Sequence, residues 1–504
     1  MQARARETQK ADVCLLLEGT YPYISGGVST WTHDLIRSHS DLKFALVSIA
    51  AATIPPRQAF ELPPNVVDWR TIRVGALPKG MQRFQGSNTL PLKLAPALSR
   101  FLAQGRAQDF RELNALLAPV RGAAGADTLL NSPEAWQTLT AMYEESFHTT
   151  SFLDYFWTWR ALVTGLYSVL LADLPQAKTY HAISTGYAGL LAARASLETG
   201  SPSLITEHGI YTNERRIEIA LAEWLHDPGA LSLGDASEQG GLKALWTSAF
   251  AAYSRTAYEA AFRITTLYRG NQDMQKRDGA PASKLAIIPN GIDAERFSKI
   301  KKSSTQRRPC VALIGRVVPI KDIKTYIRAV RVLADSIPDI DALILGPDDE
   351  DADYARECRQ MVEQLGLKGN ITFTGRVKLD EFLHRIDLNV LTSVSEAQPL
   401  VVLEAGAAGV PSVSTDVGCC RELLLGTPDE APRLGEGGII TPLANPTAIA
   451  TAMHALLSNP ARLAAAGDTM KKRVDAYYNK LVIDRHYRKL YEDAFRAHKR
   501  ERAA

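Results

Sequence analysis

Two glutamates stand eight positions apart in the run Ser395-Glu396-Ala397-Gln398-Pro399-Leu400-Val401-Val402-Leu403-Glu404-Ala405-Gly406. Pro399 suits the first position of a helix, and Gly409 with Pro411 suits its end. Glu396 then falls in a loop and Glu404 on the helix that follows. Glu404 is the only charged residue from Ala397 to Thr415. An ionised carboxylate in so apolar a helix needs water or hydrogen-bond donors, and the hydroxyls of a sugar would serve. The N–H groups of Leu400 and Val401 at the helix start favour an anion such as a diphosphate. A solvent-facing Glu404 beside an ordinary loop glutamate fits the same pattern.

Further residues could join that chemistry. Gly315-Arg316-Val317-Val318-Pro319-Ile320-Lys321 follows one apolar run and precedes a helical one. Arg316 can grip phosphate oxygens with two N–H groups and Lys321 can act as a mobile point charge; two plain surface cations read the same way. Arg376 and Val377, after ITFTG, could offer backbone groups to a nucleobase edge, or form a simple turn. Near the N-terminus, Gly26-Gly27 before a helix allows close backbone approach to a ligand, though a tight turn needs no more. His208, in Thr206-Glu207-His208-Gly209, ends a strand-like run and could donate to a substrate oxygen, while a structural histidine would look no different. Pro289-Asn290-Gly291-Ile292-Asp293 reads as a turn at a domain boundary. The acidic run Asp348-Asp349-Glu350-Asp351-Ala352-Asp353 offers metal-like D-x-D spacing, but five acids before a helix read better as a solvated, favourably charged helix start. No metal site is expected.

Strands and helices must position these groups. VALIGRV, ALILG, ITFTG, LNVLTS, PSVST and GIIT are short apolar runs, and Ile323, Ile327, Val330 and Leu333 lie at helical spacing between two of them. Continuous apolar strands alternating with amphipathic helices predict a parallel sheet covered on both faces, over residues 301–475. Ligands of such sheets bind beyond the carboxyl ends of the strands. The N-terminal half, residues 1–300, repeats the theme in DVCLLLEG, FALVSIAA, TYHAIST, SLITEHG, RITTLY and LAIIPNG. Residues 51–178 interrupt it as an insertion that either covers the sheet or forms a partner surface. Residues 476–504 form a terminal helix, and KIKKSSTQRRP, 299–309, is the linker between halves.

The 504 residues suit two large domains. With 46% apolar and 22% charged residues, the composition excludes a disordered or fibrous chain. The net charge of +3 leaves no nucleic-acid footprint. No apolar run approaches the ~20 residues of a membrane span, and Val13–Leu17 is too short for a signal peptide core and reads as a buried first strand. Cys14, Cys310, Cys358, Cys419 and Cys420 show no CxxC spacing, which points to a reducing compartment, the cytoplasm, without a zinc site.

The glutamate pair, Arg316 with Lys321, PNGID and ITFTGRV together resemble the retaining glycosyltransferases of family 4, across essentially the whole C-terminal half. The N-terminal runs LLLEGTYPYISGGVSTW and TEHGIYTNERR resemble glycosyltransferases of exopolysaccharide systems. The resemblance implies a GT-B fold: two Rossmann-like, doubly wound parallel-sheet α/β domains facing each other across a cleft, with the last helix crossing back to the first. It implies a UDP-sugar donor, UDP-glucose or a UDP-N-acetylhexosamine, and a growing polysaccharide as acceptor. No cofactor or divalent metal is implied. By family analogy Glu404 binds the ribose hydroxyls, Glu396 meets the donor sugar, Arg316 and Lys321 meet the diphosphate, and His208 with Gly26 and Gly27 lies on the opposite wall. An inner-membrane export complex is the implied partner, with the enzyme cytoplasmic and held at the membrane only through partner proteins. A nucleotide-sugar epimerase of the same fold and a non-catalytic nucleotide-binding subunit are the alternatives.

Overall fold

The computed structural model describes residues 10–19, 21–24, 26–50, 58–222, 241–302 and 307–503. The chain forms two compact units. One comprises Met1–Thr266, Asn271–Ile287 and Tyr487–Ala504; the other comprises Leu267–Gly270 and Ile288–His486. The second unit therefore begins before the basic stretch 299–309, of which residues 303–306 lie outside the described residues.

The first unit holds β1 (Ala11–Glu18), β2 (Phe44–Ala50), β3 (Val66–Arg73), β4 (Ala177–Ala182), β5 (Ser203–Glu207), β6 (Arg263–Thr266) and β7 (Leu285–Ile287). They form one parallel sheet in the order β3-β2-β1-β4-β5-β6-β7. Six of these strands lie on the apolar runs of the sequence. The exception, β3, sits at the sheet edge inside the stretch read as an insertion. Its polar residues are used locally: Arg70 pairs with Asp68 at 2.9 Å, and the Trp69 indole donates to Ser48 Oγ at 3.1 Å. An edge strand with both faces half-exposed carries no continuous apolar run, which is why the sequence hides it. The helices Leu90–Gln104, Ala107–Leu117, Pro133–Ser146 and Phe152–Leu171 pack with Cys14, Leu16, Ala45 and Val47 into one apolar core. Of its two possible roles, the stretch thus takes that of covering a sheet face.

The second unit holds β8 (Cys310–Ile314), β9 (Asp341–Leu345), β10 (Ile371–Gly375), β11 (Leu388–Leu391), β12 (Ser412–Thr415) and β13 (Gly438–Thr441). Their parallel sheet runs β10-β9-β8-β11-β12-β13. Val311 and Leu313 feed one core while Cys310, Ala312 and Ile314 feed another. Successive strand residues point to opposite faces, so a sheet buried on both sides demands unbroken apolar strands.

Both sheets reverse their winding at one place, between β1 and β4 and between β8 and β11. In doubly wound sheets ligands bind at such a reversal, beyond the carboxyl ends of the strands. In the first unit a buried polar chain ties the terminal helix Lys480–Ala503 to the sheet. Thr265 Oγ1 donates to the Ile205 carbonyl at 3.1 Å and so accepts from Thr206 Oγ1 at 2.7 Å. Thr206 in turn accepts from His181 Nε2 at 2.8 Å, leaving Nδ1 to accept from the Tyr491 hydroxyl at 2.9 Å. This polarity fixes the histidine tautomer, and burial holds the His181 pKa down to about 3. All five cysteines are buried free thiols. Among the described residues no helix is long and apolar enough to cross a membrane.

Candidate nucleotide-sugar site

The loops after β8 and β11 flank the reversal in the second sheet. Lys321, in the first, and Glu396, in the second, meet there at 2.5 Å, with side chains 18% and 14% exposed. Their loops are fixed to each other: Val394 N–H donates to the Ile320 carbonyl at 2.9 Å, and Thr392 Oγ1 donates to the Lys321 carbonyl at 2.8 Å. The loop after β8 is also laced to its other neighbours. Gly315 N–H donates to Leu345 and Val317 N–H to Pro347, both at 2.9 Å, and Gly346 N–H reaches the Gly375 carbonyl at 3.1 Å. Gly346 has φ +155° and passes so close that a Cβ there would lie 2.1 Å from the Gly315 carbonyl oxygen. Only glycine allows that lacing.

Arg316 takes a different partner. Its Nη1 contacts Glu350 at 2.5 and 2.8 Å, with both side chains about half exposed. Three other acids of the run engage the helix that follows it. Asp351 caps the helix Ala352–Gln364 by accepting from Tyr354 N–H at 3.0 Å, Asp348 pairs with Arg359, and Asp353 with Arg356. Among the described residues no group of three or more His, Cys, Asp or Glu side chains is arranged to hold a metal ion.

The helix carrying Glu404 spans Leu400–Ala407. Pro399 stands one position outside the expected place, as the residue before the helix, and no side chain caps the helix start. Pro399 offers no side-chain acceptor, so the capping residue itself does not engage the N–H groups at the helix start. Glu404 is partly buried. Burial raises its pKa, the Arg296 charge opposes that shift, and the Asp380 charge adds to it. Arg376 is exposed and Val377 half-buried, in the loop leaving β10.

In the first unit the corresponding reversal lies between β1 and β4. Glu18 ends β1 and accepts from the Tyr211 hydroxyl at 2.7 Å, Ser184 Oγ at 3.3 Å and Ala188 N–H at 3.4 Å. Burial pushes its pKa up. Glu18, Thr32, His208, Tyr211, Glu214 and Arg215 line a cavity of about 210 Å³. The His208 ring stands edge-on to Trp31 with centroids 4.6 Å apart. Its loop is anchored by Glu207, buried and accepting from Tyr258 at 2.6 Å, Gln275 at 2.8 Å and Thr185 at 3.0 Å. Gly26 and Gly27 open the helix Gly27–Ser38, and a Cβ at either would meet nothing within 4 Å. No protein atom requires glycine there.

The structure thus brings Lys321 and Glu396 into contact and draws Arg316 onto Glu350. Sequence reasoning missed Glu350, Glu18, Tyr211, Arg296 and Asp380. For Glu18 a signal existed, since it ends the first apolar strand directly before a glycine-rich loop. The others meet their partners through tertiary packing. A cavity of about 750 Å³ in the second unit, lined by Asp293, Lys471, Lys480 and Asp484 among others, contains none of the expected residues.

A family described as a domain of unknown function, DUF3492, matches residues 11–283, more than half of the chain. The chain belongs to the DUF3492 family. This DUF3492 protein also matches the glycosyl transferases group 1 family over residues 308–459, the part that holds Lys321, Glu396 and Glu404. Its two parallel-sheet α/β units have structural neighbours of GT-B type. It is 26% identical over 243 residues to a D-inositol 3-phosphate glycosyltransferase of Kineococcus radiotolerans, covering 44% of this chain and 54% of that one. It is 30% identical over 202 residues to an exopolysaccharide phosphotransferase of Streptomyces coelicolor, covering 40% and 20%. A GDP-mannose-dependent mannosyltransferase of Mycolicibacterium smegmatis is 28% identical over 205 residues, covering 37% and 50%. The DUF3492 chain spans about half or less of the length of these curated relatives. In fold it is similar to HepE of Anabaena in complex with UDP, with a TM-score of 0.57, 13% identity, and 96% of this chain and 100% of that one covered. Sucrose-phosphate synthase of Thermosynechococcus elongatus gives 0.57, 17%, 96% and 100%.

Proposed function

We propose that this protein transfers a hexose from a UDP-sugar, UDP-glucose or a UDP-N-acetylhexosamine, to a growing exopolysaccharide, with retention at the anomeric carbon and without a divalent metal. The observation that carries the reading is the Lys321–Glu396 contact at the β8/β11 reversal, beside a helix start with no side-chain cap. As the sugar–phosphate bond breaks, negative charge develops on the β-phosphate. Lys321, Arg316 and the N–H groups of Leu400 and Val401 stabilise it, as preorganised cations and dipoles do in other transfer sites. Glu396 meets the donor sugar, Glu404 the ribose hydroxyls, and the loop with Arg376 and Val377 the base. The acceptor hydroxyl attacks the anomeric carbon on the face the diphosphate leaves. Its proton passes to the departing phosphate oxygen, so UDP and a glycoside of unchanged configuration result. His208 and the Gly26–Gly27 turn serve the acceptor.

Two likenesses support the donor and acceptor. HepE, similar in fold, binds UDP and UDP-glucose. The runs LLLEGTYPYISGGVSTW and TEHGIYTNERR resemble PelF, the Pel exopolysaccharide glycosyltransferase, which favours a polysaccharide acceptor, a cytoplasmic enzyme and an export complex at the inner membrane. Calorimetry with UDP, GDP and ADP, then with UDP-sugars, tests the donor; preference for GDP would overturn it, a live outcome because one relative is GDP-mannose-dependent. Product analysis without acceptor separates transfer from epimerisation, and activity in excess chelator tests the metal-free chemistry.

A further inference from the structure

The loop that carries Glu396 is held on one side by the loop after β8. On its other side it meets the turn that leaves β12, Thr415-Asp416-Val417-Gly418-Cys419. Thr415 Oγ1 donates to the Ser393 carbonyl at 2.7 Å, and Cys419 N–H donates to the Ala397 carbonyl at 3.0 Å. Between these two bonds Gly418, at φ +51°, lies directly against the backbone of Glu396 and Ala397. A Cβ there would stand 2.3 Å from the Glu396 carbonyl oxygen and 2.4 Å from that of Ala397. The left-handed φ and the close approach both call for glycine. The turn has little room to retreat from a larger residue. Val417 and Cys420 are buried with Leu391, with Val401 packed against them, and Cys419 is buried in the cluster that holds Val402 and Leu403. The Glu396 loop is the softer side of the contact, since Val394 and Ser395 are exposed.

We propose that Gly418 is a positioning residue for Glu396: by letting the turn close on the Glu396–Ala397 backbone, it sets the point from which the carboxylate reaches Lys321. The inference rests on the reading of Lys321 and Glu396 given above. An added methyl group would have to widen a backbone contact from 2.3 Å to at least 3.0 Å, and the shift falls on the residue that bears the carboxylate. Displacements approaching 1 Å are enough to cost about 10²-fold in rate where groups must meet reacting atoms in register. Gly418 acts through Glu396 and not on the ligand.

The test is calorimetry with UDP on the full chain. In the ligand-free protein Glu396 holds Lys321, so a Glu396 pushed out of register frees the lysine. Gly418→Ala is expected to bind UDP about threefold more tightly than wild type, a gain that a merely loosened fold would not give. Made on Glu396→Gln, where the contest for Lys321 is already removed, the same substitution should change UDP binding by less than about 1.5-fold. A thermal melt checks that the variants fold. Thr415→Val removes the bond to Ser393 while keeping the side chain's shape, and it carries the same test if Gly418→Ala does not fold. If wild type does not bind UDP, or Glu396→Gln fails to tighten its binding, the reading of the Lys321–Glu396 contact falls. If Glu396→Gln tightens it and the Gly418 or Thr415 variant does not, or if their gain persists on Glu396→Gln, the positioning role is overturned while that reading stands.

Discussion

Replacing Lys321 by alanine should weaken UDP binding without unfolding the chain. A unit charge 4 Å from a phosphate oxygen, at an effective dielectric of about 20, is worth about 4 kcal/mol. In the ligand-free protein that charge already rests 2.5 Å from Glu396. Binding UDP therefore exchanges one anion for another, and roughly half of the Coulomb term, about 2 kcal/mol or some 30-fold in Kd, survives as net affinity. The same exchange gives Glu396→Gln the opposite sign for UDP alone. With its competitor neutralised, Lys321 is released, and UDP should bind roughly threefold to tenfold more tightly, even as transfer from a UDP-sugar falls. Calorimetry with UDP on wild type and both single variants reads these shifts, and the double variant measures their coupling. A Lys321→Ala protein that binds UDP within about threefold of wild type, or a Glu396→Gln protein that binds it more weakly, refutes the account.

Other outcomes follow from the same geometry. Arg316→Ala should cut transfer about 10²–10³-fold in kcat, whereas Glu350→Gln, which breaks an ion pair about half exposed at both ends, should move the melting temperature by less than about 2 °C. Gly26→Ala meets no protein atom and should leave stability within about 0.5 kcal/mol of wild type; a matching loss of transfer assigns that turn to substrate. Arg473 and Glu430 form an ion pair only 1% and 2% exposed, so Arg473→Met should cost about 3–5 kcal/mol, and denaturant melts should show Arg473→Met with Glu430→Leu recovering much of it. His181 has a folded pKa depressed to about 3. The unfolded chain then binds the extra proton, so stability is full above pH 6.5 and lost on acidification toward 3, by about 2 kcal/mol at pH 5. The wild-type melting curve, compared with that of His181→Gln between pH 7 and 5, isolates this term; parallel curves would contradict it.

The sequence showed twelve strands because each lies on an apolar run, and central strands serve two cores, as Val311 and Leu313 against Ala312 and Ile314 make plain. It concealed β3, where Asp68, Arg70 and Arg73 break the run at an edge that needs no second core. The loop of Glu396 and the helix of Glu404 were legible from proline, glycine and the isolation of a charge. The ionic partners were not. Glu350 lies 34 positions from Arg316 and looks like any solvated acid in a run of acids, and Asp380 reaches Arg296 across 84 positions. Local periodicity carries no record of such pairings, which arise only when separate strands deliver their loops to one edge of a sheet.

The paired state of Arg316 and Lys321 also sets a threshold on what can enter. Each cation already has an internal carboxylate, so a lone monovalent anion offers neither anything better than it holds. On the function proposed above, chloride is expected to compete only weakly with UDP, which a binding competition reads.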